Sequence, residues 1–305
     1  MRRRGTRRQT LSSLRVTAET RRRYERALQA LLAHFGAEQE GTSVLSGDPE
    51  DADALVAEYL EGLWASGAGI AAANNTLAGV CFAVPRLRRH LDLSWALLKT
   101  WRHHEPASRV MPLTSEAVAA MAGFACAAGA FDVAALALVA FEGMLRGAEV
   151  FALTVSDLID RGEFFVVRIS SSKTSAGKDC AEAVVVRSKV AVALLRIAVG
   201  GLGEGARVSW RTPSQLRGAL AALAKGLGLP GPITWHSFRR GGACDFFVRS
   251  GSMEATLVAG RWSSSATARV YIEGAVADSV RAQPGSAGAR AVARGIRLLQ
   301  LAAQQ

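Results

Sequence analysis

Strand-forming signals concentrate in one place in this chain, and that constrains the fold more than any other feature. Residues 164–169 and 183–186 are β-branched or aromatic runs on either side of a polar turn, 170–179, which predicts a hairpin. Almost everything else carries apolar residues at helical spacing. Thr17 can cap a helix in which Tyr24, Leu28, Leu31 and Phe35 share a face, with Gly36 as its stop. A second helix is expected over about 51–64, ending at Gly67, a third from about Ile70 through Leu87, and a short fourth over 95–101. A polar stretch marked by Pro106 and Pro112 reads as a linker. Leu113-Thr114-Ser115-Glu116 then signals a helix start, leading into a long Ala-rich helical region to about Met144. Beyond Val190 the pattern is helical again, broken at 200–205 and 226–232. The expected fold is mainly α with a small β-hairpin or sheet. The expected organisation is a basic tail over 1–16, a helical bundle over 17–102, a linker over 103–112, and a larger α+β domain over 113–305 that ends in a helix.

A chain of 305 residues can hold two modest domains, each with its own core. With 50% hydrophobic and 21% charged residues it reads as globular. No apolar run reaches the roughly 18 residues needed to cross a bilayer, and 131–141 is at most a buried helix, so no membrane partner is expected. Arg2, Arg3 and Arg4 have no apolar block behind them, which excludes a secretory signal. The four cysteines, Cys81, Cys126, Cys180 and Cys244, are scattered without a CxxC pair. They read as reduced core residues of an intracellular protein rather than a zinc site.

The net charge of +11 is unevenly spread, because residues 1–23 hold nine arginines and one acid, which is +8 of the total. Such a tail reads as a solvated, phosphate-binding arm, a localisation signal or an Arg-rich transit segment. The remainder is only mildly basic, so composition alone does not name a partner.

Four fragments in the second half hold basic and nucleophilic side chains. They are Met144-Leu145-Arg146-Gly147-Ala148-Glu149, Ser171-Ser172-Lys173-Thr174, His236-Ser237-Phe238-Arg239-Arg240-Gly241-Gly242, and Gly260-Arg261-Trp262 running on to Tyr271. Each has an ordinary explanation alone. Arg146 pairs with Glu149 one helical turn on, Lys173 is a turn lysine, His236 is a structural histidine, and Trp262 and Tyr271 pack.

Together the fragments resemble the tyrosine recombinase (phage integrase) family, over most of the chain. The resemblance makes the helical bundle a DNA core-binding domain and the rest the catalytic domain. It assigns Arg146 as the first family arginine, with Glu149 as the acid beside it, and Lys173 as the lysine of the hairpin turn. His236 and Arg239 match the His-x-x-Arg box. Trp262 stands where the family has histidine or tryptophan, and Tyr271, nine residues later, has the nucleophile's spacing. Two departures stand out: Arg240-Gly241 replaces the usual His-Thr after the box, and Gly260-Arg261-Trp262 carries one more residue than the usual Gly-His. This variant resembles recombinases of eukaryotic mobile elements.

The resemblance implies cutting and rejoining of double-stranded DNA through a 3′-phosphotyrosyl link, by a homo-oligomer of two to four chains assembled on DNA. The residue types suit that chemistry. Fixed cations stabilise charge developing on the phosphate oxygens, and arginine's planar fork grips two of them. A phenol titrates near about 10 and needs its proton taken as it attacks, for which His236 is the family candidate. The indole N–H of Trp262 can donate to a phosphate oxygen, and Lys173 would protonate the departing 5′ oxygen. The energy of the broken bond is retained, so neither a cofactor nor a metal is expected. The sequence shows no GxxxxGK[ST] loop and no evident carboxylate cluster for two-metal chemistry. Two other readings share these residues: a catalytically silent, domesticated DNA-binding relative, and a type IB topoisomerase-like strand-passage enzyme. The location would be the nucleus in a eukaryote and the cytoplasm or nucleoid in a bacterium. Near the C-terminus, Val292, Ile296, Leu299 and Ala303 form a stripe that either packs within the chain or, as the resemblance suggests, docks on a neighbouring protomer.

Overall fold

The computed structural model describes residues 15–106, 110–169, 182–266, 268–269, 271–272 and 286–304. The chain divides into two compact units, Met1–Ser108 and Arg109–Gln305.

Four helices build the first unit: α1 (Ala18–His34), α2 (Pro49–Ala65), α3 (Ile70–Ala83) and α4 (Asp92–His104). Their starts follow local chemistry. The Thr17 hydroxyl accepts from the Thr20 N–H at 3.2 Å, and Asp48, followed by Pro49 at the first helical position, accepts from the Glu50 N–H at 2.9 Å. Leu31, Leu45, Val56, Leu60, Leu77, Leu87 and Leu98 form the core. Two expectations need correction here. The third helix stops at Ala83 rather than Leu87, because Pro85 lacks an N–H and disfavours helical backbone at Val84; residues Pro85–Arg89 continue as a 3₁₀ turn. The fourth starts at Asp92 rather than Trp95, because it is capped from another helix. The buried Asp53 of α2 accepts from the Leu93 and Ser94 N–H groups at 2.8 and 3.0 Å. It also runs through His104, so the first two residues of the expected linker are helical.

The second unit opens with α5 (Ser115–Ala127) and α6 (Phe131–Glu142). The Ala-rich helical region comprises these two helices, turned at Gly129 with a left-handed φ of 71°. After the short α7 (Gly147–Ala152) comes an antiparallel sheet in the order β1 (Leu158–Asp160), β2 (Phe165–Ile169), β3 (Glu182–Val186). The hairpin pairs Phe165 with Val186 and Ile169 with Glu182. β1, too short to carry a pattern of its own, was not expected. Residues 170–181, with Lys173, Lys178 and Cys180, lie outside the described residues. The helices α8 (Lys189–Val199), α9 (Pro213–Gly226), α10 (Trp235–Ser250), α11 (Met253–Gly260) and α12 (Ser286–Ala302) follow among the described residues.

α6 is the buried axis, packed by α5, α8 and α10. The close approach of α10 depends on glycine. A Cβ at Gly241 would lie 2.0 Å from the Leu113 carbonyl oxygen, and one at Gly242 2.0 Å from that of Phe141. α12 packs on α5 of its own chain, Leu299 buried and Val292 and Ile296 against the core. Cys81, Cys126 and Cys244 are buried free thiols. Among the described residues no helix is long and apolar enough to cross a membrane, and no cluster of His, Cys, Asp and Glu could hold a metal.

Candidate active site

Five of the six residues singled out from the sequence lie among the described residues; Lys173 does not. They come from three places in the second unit: the turn before α7, the start of α10, and the stretch after α11.

Arg146 is the N-cap residue of α7. Its backbone N–H donates to Glu149 Oε2 at 2.8 Å, and its Nη1 donates to Glu149 Oε1 at 2.7 Å. The Glu149 side chain is 2% exposed and that of Arg146 29%, so the pair turns its cationic end outward. The pairing expected from the i, i+3 spacing is present, with its carboxylate buried and its guanidinium partly exposed.

His236 and Arg239 sit one turn apart in the first turns of α10, which Thr234 starts by accepting from the His236 N–H at 3.2 Å. Arg239 is 1% exposed. It donates through Nη1 to the Met144 carbonyl and through Nη2 to the Gly260 carbonyl, the latter at 2.7 Å. Those two carbonyls belong to the turns that carry Arg146 and Trp262, so Arg239 ties both turns to α10. Its terminal nitrogens are committed to backbone, which differs from the open two-pronged grip the sequence suggests. Burial first, and then the charges of Arg146 and Arg261, bring its pKa down to about 10.

Trp262 is half-buried, and its ring lies 4.6 Å from the Arg239 guanidinium carbon. Tyr271 is helical and half-buried, with ring centroids 5.1 Å from Trp262 and 5.3 Å from His236. The candidate nucleophile therefore lies beside the candidate base and the indole whose N–H is the candidate donor to a phosphate oxygen. Burial, followed by the charges of Arg239, Arg240 and Arg146, holds His236 below the ordinary histidine pKa. The imidazole is thus neutral near pH 7 and able to accept a proton.

Sequence reasoning missed one residue. Arg261 entered only as a departure from the family pattern, yet its side chain is 7% exposed and joins Glu149 at 2.7 Å. The available signal was an arginine directly after a helix-ending glycine, the place where another glycine or a polar surface residue is ordinary.

No protein-family model and no curated protein matches this chain. Solved structures do. The Tn1549 transposon integrase in complex with transposon right end DNA aligns over 88% of this chain and 94% of its own, at 13% identity and a TM-score of 0.56. The same integrase with circular intermediate DNA gives 86%, 98%, 14% and 0.55. XerA recombinase aligns over 88% of this chain and 94% of its own, at 16% identity and a TM-score of 0.46. At such identities the likeness is one of fold: this chain has the tyrosine recombinase fold.

Proposed function

We propose that this protein is a site-specific DNA recombinase that cuts and rejoins DNA through a 3′-phosphotyrosyl intermediate on Tyr271. The observation that carries the reading is the meeting of Arg146, His236, Arg239, Trp262 and Tyr271 at one site from three separate segments, within a fold whose solved examples include an integrase bound to DNA.

In this reading Tyr271 Oη attacks the scissile phosphorus, and His236 Nε2 or Nδ1 takes the phenolic proton. The bond from phosphorus to the 5′ oxygen breaks, and Lys173 gives that oxygen a proton. A 3′-phosphotyrosine and a free 5′ hydroxyl result, and attack by an incoming 5′ hydroxyl reverses the steps onto a new partner strand. Arg146, the more open arginine, meets the non-bridging oxygens. Arg239 adds positive charge from beneath and holds the two turns in place. Trp262 packs against both Arg239 and Tyr271, setting where the phenol lies. The first unit is read as the DNA core-binding domain, the second as the catalytic domain, with the protein acting as a homo-oligomer on double-stranded DNA.

The test is covalent capture on nicked suicide substrates built from the DNA that purified protein selects. Wild type should form a protein–DNA adduct and Tyr271→Phe should not, while binding DNA equally well. The other tyrosines, Tyr24 and Tyr59, lie in the first unit. An adduct surviving in Tyr271→Phe sinks the assignment. Joining of two sites, rather than relaxation of any plasmid, separates this activity from that of a topoisomerase.

A further inference from the structure

Among the described residues, two that are not glycine take a left-handed backbone: Met144 at φ 47° and Arg261 at φ 57°. Both lie in the candidate site. Arg261 is the C-cap of α11, a position that favours glycine because a Cβ is crowded there. A side chain kept in such a conformation is held by contacts elsewhere.

Those contacts reach three segments. Arg261 Nη2 lies 2.7 Å from Glu149 Oε2, and Nη1 donates to the Gly143 carbonyl at 3.1 Å. Its Nε lies 3.3 Å from Glu182 Oε2. Glu182 is the first residue of β3. Glu149 is the carboxylate that grips Arg146. Arg261 shares its Oε2 with the Arg146 backbone N–H, leaving Oε1 for the Arg146 side chain. Without Arg261, Glu149 is free to form a two-pronged pair with Arg146, the favoured geometry for an arginine and a carboxylate. Such a pair would turn the Arg146 fork away from solvent.

We propose that Arg261 is a positioning residue whose guanidinium clasps Glu149 and Glu182, so that Arg146 keeps part of its fork for the scissile phosphate and the β2–β3 hairpin is anchored beside it. The inference rests on the recombinase reading above. It assigns Arg261 no contact with DNA, because its side chain is buried under the pair it organises.

The experiment compares single-turnover cleavage by wild type, Arg261→Gly and Arg261→Lys. Each acts on an ordinary scissile phosphodiester and on a methylphosphonate, which lacks one anionic oxygen and so asks less of Arg146. Glycine keeps the left-handed cap and removes only the side chain. Arg261→Gly should slow adduct formation on the phosphodiester by about 100-fold, the scale of a 1 Å misplacement, with DNA affinity nearly unchanged. On the methylphosphonate the defect relative to wild type should shrink at least about tenfold, as transition-state charge is relieved. Arg261→Lys, able to reach one carboxylate, should recover part of the rate. An equal defect on both substrates makes Arg261 merely structural and overturns the inference. If Arg261→Gly does not fold, Arg261→Lys is read by the same ratio. Arg261→Gly cleaving like an active wild type overturns this inference alone, whereas a wild type that forms no adduct overturns the recombinase reading and this inference with it.

Discussion

One methyl group at Gly260 probes the site from within. A Cβ there would lie 1.7 Å from Trp262 Cζ3 and 2.1 Å from Cε3. Carbon atoms pack at about 3.5–4.0 Å, so in Gly260→Ala the indole must retreat by about 2 Å unless the backbone moves. The backbone is held, since the Gly260 carbonyl accepts from Arg239 at 2.7 Å. The ring therefore moves, leaving the Arg239 guanidinium at 4.6 Å and the Tyr271 ring at 5.1 Å. Overpacking costs about 1–3 kcal/mol, and alanine's better helix propensity returns about 0.5–1 kcal/mol. The net runs from near zero to a loss of about 2.5 kcal/mol, which lowers Tm by at most about 10 °C in a unit of this size. Catalysis should suffer more, because a displacement of about 1 Å beside reacting groups costs about 100-fold in rate. The assay is single-turnover adduct formation on a nicked suicide substrate, with DNA affinity and Tm measured on the same preparation. A folded Gly260→Ala that cleaves within a few-fold of wild type would refute the claim that the Trp262 ring sets the position of the phenol.

Three further outcomes follow from the same geometry. Arg146→Lys keeps the charge but cannot serve Glu149 and phosphate with one planar fork, so cleavage should fall by about 2.7–4 kcal/mol in barrier while binding changes little; near wild-type cleavage would remove Arg146 from the phosphate. His236 is held below its ordinary pKa of about 6.5, and a base works when neutral. The acid limb of the rate profile should thus lie below that value and vanish in His236→Ala, whereas a limb at or above it contradicts the assignment. Lys173→Ala should cripple cleavage of normal DNA yet approach wild type when the bridging 5′ oxygen is replaced by sulfur, since a thiolate leaves unprotonated. Lys178→Ala should show neither effect, and rescue of Lys178→Ala instead would exchange the two roles.

The fold class was legible because its evidence is local. Helical spacing, Thr17, Gly36 and the two β-branched runs each report on their own neighbourhood, and each element formed. The errors came where the deciding contact was distant or where a turn left no pattern. The start of α4 is set by Asp53, some 40 residues earlier in the chain. Within the Ala-rich helical region no proline marks a break, and the turn at Gly129 divides it into two helices. At the site, the resemblance put the right residues in view, but not how they are held. Nothing in the local sequence says that Arg239 serves two backbone carbonyls, or that Glu149 is shared by two arginines.

That sharing sets the charge of the site before any substrate arrives. Arg146 and Arg261 pair with Glu149 and Glu182, and Arg239, held by backbone carbonyls, adds a further cation that feels Glu149, so among these five groups cations exceed anions by one. The arginines press on one another as well as on the carboxylates, which, after burial, is why Arg239 loses affinity for its proton. A phosphodiester brings one negative charge, enough to balance this excess in the ground state. The transition state gathers further charge on the same oxygens and on the departing one. Arginines already tied to carbonyls and carboxylates cannot move to meet it, so they act as fixed charges, which lowers the reorganisation needed at the moment of reaction. In the proposed in-line displacement the departing oxygen leaves on the far side of phosphorus from Tyr271, opposite the attacking phenol. In the proposed mechanism its charge is met by a proton rather than by a cation, the task proposed for Lys173. Loss of Lys173 should therefore be felt in leaving-group chemistry alone, while loss of any member of the Arg146, Glu149 and Arg261 cluster should be felt through the charge on the non-bridging oxygens.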